Sequence, residues 1–417
     1  MDEPMFWREG FSSFGNRYFK NSFKQIVEVP DMVYNKNMLC IGKTIQGRPY
    51  HLDLREACRI IIIGATRSGK TFSMRSLMDR LYTTDCDIIH LNDCKDEFKS
   101  SRYPVQPKFR HLLFPNESPR GLKLVALRPT FFKQVDDTLP ENNYWFSVDF
   151  SNMTQNDFLT FMNVSELTAT QKILLELLYE QMHTRLKNGE KFSVELMEEM
   201  IEQIEGLTAQ QINSMKMKFR PLRTAKFYEE ENEIDVVELI KRGFIPSINM
   251  ENFDAFGKGS FLYPEVVLSI VLRNVIMARR SKKIRPTWIF MDEAPRFIGN
   301  DKKTSIKSQV QESFMLDTRY DINYVVASQV YDILPEDMRY NTKYVFVPRS
   351  VDVNNMRQIL MDCGMFKNVQ SSVNEAIRIK KQMTRIPFSW LVINKMDMSK
   401  NIITFSAPLS QHLETGD

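Results

Sequence analysis

The eight residues Gly64-Ala65-Thr66-Arg67-Ser68-Gly69-Lys70-Thr71 constrain this chain more than any other stretch of it. They match GxxxxGK[ST] in full, directly after the apolar run Ile60–Ile63 and directly before a helical pattern, which is the context such a turn needs to hold phosphate. Glycine is required because the backbone amides must turn inward and approach phosphate oxygens closely, where a side chain would obstruct them. The helix that follows adds the partial positive charge of its N-terminus. In this reading Lys70 neutralises the β- and γ-phosphates of a nucleotide, and the Thr71 hydroxyl binds Mg²⁺.

Around this turn the pattern runs strand, glycine turn, helix, strand: RIIII, GATRSGKT, FSMRSLMDRLY, DIIHLND. Alternation of buried apolar runs with helical segments predicts an α/β fold of the P-loop NTPase kind, with a doubly wound, mostly parallel sheet. Further strands are expected at Lys123–Leu127, Ile245–Met250, Thr287–Met291, Ile322–Ala327 and Lys343–Pro348. The sheet domain is expected to occupy 51–155 and 229–383, interrupted by a helical insertion at 156–228. There, LTAT before Gln171 and LTAQ before Gln211 place threonines where they can cap free helix amides. Packing is one role for the insertion, and a subunit or partner surface is the other. Residues 1–50 form a short N-terminal extension that is either a small β-rich unit or irregular. Residues 384–417 read as a strand pair, IPFSWLVIN and NIITFSAP, followed by a tail.

A chain of 417 residues, 43% hydrophobic and 26% charged, is long enough for a sizeable core, and a net charge of +4 neither demands nor excludes a nucleic-acid partner. The start MDEPMFWREG lacks the basic and apolar pattern of a secretory signal, and Phe261–Ala278 carries Glu265 and Arg273, which suits a helix better than a bilayer span. Five scattered cysteines without a CxxC pair fit reduced packing thiols. A cytoplasmic protein without a membrane anchor is expected.

Phosphoryl transfer is mostly positioning and charge stabilisation, so a phosphate turn needs an acid for Mg²⁺ and a group that orients water. Asp292 and Glu293, at the end of the apolar run Thr287–Met291, fit these roles, with Asp292 in the magnesium shell and Glu293 polarising the water. Gln329 ends the next strand, where a neutral amide can hydrogen-bond both water and γ-phosphate. Arg319 precedes that strand and Arg349 follows the one after. Each is a candidate to reach across a subunit boundary as an arginine finger, or to pair locally with Asp317 or Asp352.

These residues in this order resemble the HerA–FtsK superfamily of ring-forming ATPases, most closely its HerA branch, over about Leu52 to Val353. The resemblance is carried by LDLREACRIIIIGATRSGKT, HLNDCKDEF, IFMDEAPRF, VVASQ and YVFVPRSVD. The segment DCKDEF is also similar to conjugative coupling proteins, and there Asp93 and Glu97 match a D-x-x-x-E pattern beside the nucleotide. Arg67 stands where the family usually has glycine, and Pro295-Arg296 where His-Asn is common. The resemblance implies a homohexamer that uses ATP and Mg²⁺ to move double-stranded DNA through its pore, with sites between subunits and a nuclease or other effector as partner. Pore lysines would grip backbone phosphate without regard to sequence. Lys302, Lys303 and Lys307 are the first candidates and Lys258, in Phe256-Gly-Lys-Gly259, the second. The run Arg279, Arg280, Lys282, Lys283, Arg285 closes a helix, where cations complement the dipole. Two other classes stay open: a nucleotide-dependent ring scaffold or sensor that organises an effector, and a secretion or conjugation coupling ATPase.

Overall fold

A computed structural model describes residues 37–114, 117–162, 167–224, 230–253, 262–302, 304–366 and 368–411. Twelve strands form one sheet: β1 (Met38–Thr44), β2 (Pro49–Asp53), β3 (Arg59–Ile63), β4 (Asp87–Asp93), β5 (Leu124–Pro129), β6 (Asn143–Phe146), β7 (Ile245–Asn249), β8 (Thr287–Met291), β9 (Ile322–Ser328), β10 (Tyr344–Pro348), β11 (Ser389–Asn394) and β12 (Ser399–Phe405). Their spatial order is β2-β1-β12-β11-β10-β3-β9-β8-β4-β7-β5-β6. Every pairing from β10 through to β6 is parallel, and those joining β10, β11, β12, β1 and β2 are antiparallel. The expected α/β class with a mostly parallel sheet is therefore the observed one.

Ile60–Ile63 are apolar at every position because both sheet faces are covered. Ile61 and Ile63 face one apolar cluster, and Ile60 and Ile62 the other. The second cluster receives Met74, Leu77, Met78 and Leu81 of helix α1 (Lys70–Leu81). The first takes the helices that share the opposite face. Among them are α2 (Gln155–Phe161), α3 (Ala169–Lys187), α4 (Val194–Glu202) and α5 (Ala209–Thr224) of the insertion, through Leu175, Leu178, Met182, Met197 and Phe219.

Thr168 caps α3 in a reciprocal box with Gln171, and Thr208 and Gln211 repeat the arrangement before α5. Ile173, Leu177 and Met217 stay exposed, so the insertion keeps apolar surface beyond what it packs.

β1 and β2, the second of which crosses residue 50, are continuous with the sheet. β1 pairs with β2 and with β12, so the N-terminal strands continue the C-terminal hairpin. Residues 1–36 lie outside the described residues. The arginines of the basic run are spent on structure. Arg279 donates to the Tyr320 and Ile284 carbonyls, Arg280 grips Asp317 with two bonds of 2.9 Å, and Arg285 holds Asp87. Four of the five cysteines are buried and all are free. Among the described residues no helix is long and apolar enough to cross a membrane.

Candidate active site

Because β3, β4, β8, β9 and β10 are parallel, their C-terminal ends share one edge of the sheet. The connection pattern reverses at β3, since the chain leaves it toward β4 and later returns through β8 and β9 to β10 on its other side. Crevices of open α/β sheets form at such a reversal, outside the strand ends.

The turn 64–69 leaves β3 there. Arg67 and Gly69 have left-handed φ values of 65° and 92°. A Cβ on Gly64 would sit 2.3 Å from Ser68 Oγ and 2.8 Å from Pro348 Cγ, so the loop closes only because that position is glycine. Helix α1 begins directly after it, with Gly69 at the N-cap, no side-chain cap and no acid in its first turn. Its leading amides are thus left to an external anion. Lys70, 5% exposed, donates from Nζ to the Gly64 carbonyl at 2.6 Å, so its ammonium lies within the turn. Burial draws that ammonium's pKa down, against the pull of Asp292 and Glu293. Ser68 Oγ is buried without a hydrogen-bond partner, a donor turned into the cradle. A narrow glycine turn, an enclosed cation, an unspent hydroxyl and free helix amides together fit a nucleotide polyphosphate.

Asp292 and Glu293 follow β8, 2% and 6% exposed. Burial pushes the Asp292 carboxyl above its ordinary range, while Lys95 and Lys70 pull it back. The side-chain amide of Asn92 donates to the Asp292 carbonyl, and Glu293 takes a left-handed φ of 44°. Thr71, second in α1, is half-buried. A hydroxyl and one carboxylate suit magnesium, which keeps its waters and takes the rest of its shell from substrate phosphates. Gln329 leaves β9, the strand between the phosphate-turn strand and the acid-pair strand, and is exposed. With Ile63, Ala65, Tyr331, Ser350 and Asp352 it borders a cavity of 140 Å³.

The other candidates scatter. Asp93 is buried and accepts the backbone amides of Lys95, Glu97 and Phe98, so its carboxylate shapes the turn after β4. Burial, with Asp96 behind it, pushes that carboxyl up to about 7. Glu97, in the same turn, is half-buried, and its carbonyl accepts from Arg75 of α1. Arg349 is exposed at the strand-end edge. Arg319 is exposed at the other edge, before β9 begins, over the Tyr320 ring. Neither makes the local pair that was its alternative, since Asp317 is taken by Arg280 and Asp352 caps helix α6 (Val353–Asp362). Lys307 does not reach outward: its Nζ donates to the carbonyls of Gly299, Asn300 and Lys302 at 3.0–3.1 Å. Lys302 lies 3.5 Å from Asp301, and Lys258 and Lys303 lie outside the described residues.

Three residues are given no role by the sequence alone. Lys95 and Arg296 hold the Glu293 carboxylate, and Arg75, fully buried, ties α1 to Ser100 and to the Gln411 carbonyl. The signal for Arg296 was its departure from the family's usual residue. For Lys95 and Arg75 only the fold brings the partners together.

Fold and site define a phosphate-binding-turn protein of the α/β class. Residues 39–259, just over half of the chain, match the family model for the central domain of the helicase HerA, and the chain belongs to that family. VirB4 of Thermoanaerobacter pseudethanolicus shares its fold, with 14% identity, a TM-score of 0.58, and 88% of this chain and 96% of that one covered. Plasmid coupling protein TrwB, solved in complex with ADP and Mg²⁺, is similar at 12% identity and a TM-score of 0.50, with 90% of each chain covered. No curated protein matches the chain.

Proposed function

We propose that this chain is the ATP-hydrolysing subunit of a hexameric ring that moves duplex DNA through its central pore. The observation that carries the catalytic part is the gathering of the Gly64–Thr71 turn, the Asp292–Glu293 pair and Gln329 at the ends of β3, β8 and β9, which adjoin in the sheet. Membership of the HerA family supports the motor, and the ADP and Mg²⁺ held by TrwB support the ligand.

In this mechanism the turn amides and Lys70 hold the β- and γ-phosphates of ATP, and Thr71 and Asp292 would hold Mg²⁺, which would supply positive charge beside those phosphates. Glu293 accepts a proton from a water in line with the γ-phosphorus. The water oxygen bonds to that phosphorus as its bond to the β–γ bridging oxygen breaks, giving ADP and phosphate. Gln329 hydrogen-bonds water and γ-phosphate and passes the outcome to the loop after β9. Arg319 lies three residues before a strand seven residues long whose other end meets the site, so it lies about 20 Å or more from its own phosphate turn. That distance suits a residue completing a neighbour's site, and Arg319 is preferred to Arg349 as the finger.

Duplex DNA is expected to stimulate ATP turnover, with the stimulation falling steeply as salt rises because phosphate contacts release counterions. A ring whose turnover ignores DNA at every salt would instead be the scaffold or sensor. For the boundary, Arg319→Ala and Lys70→Ala proteins are each expected to be inactive. Mixed in equal amounts, they restore turnover at roughly a quarter of the boundaries, those where an intact turn meets an intact arginine. Mixtures as dead as their parts would remove Arg319 from the site.

A further inference from the structure

Glu293, assigned above to the attacking water, is held on both of its oxygens. Lys95 Nζ lies 3.4 Å from Oε1, and Arg296 Nε lies 2.9 Å from Oε2. The carboxylate is nearly closed to solvent at 7% side-chain exposure, whereas Lys95 and Arg296 are 35% and 37% exposed. The Arg296 guanidinium also rests over the Phe253 ring at 4.9 Å, which fixes the direction from which it reaches back. A carboxylate that polarises water must offer that water an oxygen in the right direction. Here each oxygen is turned to a different cation, and the left-handed backbone at Glu293 sets the side chain between them.

We propose that Lys95 and Arg296 form a resting clamp on Glu293 that limits turnover until an external polyanion draws the two cations away. Both cations present part of their surface at the strand-end edge, so phosphates arriving there compete with Glu293 for them. Neither is a catalytic residue; they position one. The inference rests on Glu293 acting on the water, and its relief by duplex DNA rests on the function proposed above.

The test is Arg296→Gln, which removes the charge but keeps a stem to lie over Phe253, with Arg296→Lys as the charge-restoring variant. A partly exposed ion pair is worth no more than about one kcal/mol. Basal turnover of Arg296→Gln without DNA should therefore rise about three- to fivefold in kcat, with KM for ATP unchanged. Duplex DNA should then add correspondingly less, Arg296→Lys should return toward the parent, and adding Glu293→Gln should abolish the gain. Basal turnover at or below the parent's with unchanged KM, or a gain that survives Glu293→Gln, would overturn the clamp. If the parent ignores duplex DNA while Arg296→Gln still turns over faster, the clamp stands and the duplex-DNA reading falls. If the parent responds to DNA and Arg296→Gln has no basal gain, the reverse holds.

Discussion

Lys70→Ala is expected to lower ATP turnover by about 10²–10³-fold or more, the usual loss when one preorganised charge is removed from a site of developing charge. The residue sits inside the turn, with its ammonium 2.6 Å from the Gly64 carbonyl and 5% exposed, so no other lysine can take its place without rebuilding the loop. Because the same ammonium is assigned to the β- and γ-phosphates, nucleotide affinity should fall as well. Calorimetric titration with an ATP analogue would show this directly. The variant should keep its thermal transition, since burying a lysine gains the fold little and burial already draws its pKa down. Wild-type hydrolysis by Lys70→Ala would remove the turn from the chemistry.

Glu293→Gln separates binding from turnover. The amide keeps the shape of the carboxylate but cannot take a proton from water, so kcat should fall about 10²–10⁴-fold. Affinity for ATP should hold, because Asp292, Thr71 and Lys70 are untouched. A rapid-quench measurement of one turnover checks this, and a normal rate would mean that another group positions the water.

Much of the fold can be read in the chain because its elements are local. The apolar run Ile60–Ile63, the glycine turn and the helix after it follow one another directly, and the Thr168–Gln171 and Thr208–Gln211 boxes span four residues each. What sequence does not carry is which strands become neighbours. That β9 runs between β3 and β8, setting Gln329 between the phosphate turn and the acids, is a property of crossover order. β6, four residues long with Trp145 and Tyr144 only half-buried, lacks the apolar run that marks its neighbours. Likewise β1 and β2 read as an extension until hydrogen bonds to β12 join them to the sheet.

The site divides in the same way. Glycine, lysine and paired acids announce themselves by spacing. The lysine loop after the acid pair does not, because an exposed cation and one folded back on three carbonyls have the same sequence, and Lys307 is the second kind. The clamp on Glu293 joins residues about 200 positions apart, Lys95 from the turn after β4 and Arg296 from the segment after β8. Arg80 likewise bonds Glu117 and the Ala407 carbonyl, tying α1 to a distant loop and to the end of the sheet.

Nucleotide chemistry at the Gly64–Thr71 turn is expected to be shared between copies that surround DNA. Electron microscopy of the Glu293→Gln protein with ATP, Mg²⁺ and duplex DNA tests this most directly. The expected particle is a six-membered ring with the duplex along its axis, nucleotide in the turn of each subunit, and Arg319 of the adjacent copy directed at the γ-phosphate. Single chains carrying nucleotide but no DNA, or rings whose Arg319 faces solvent and whose axis is empty, would contradict it.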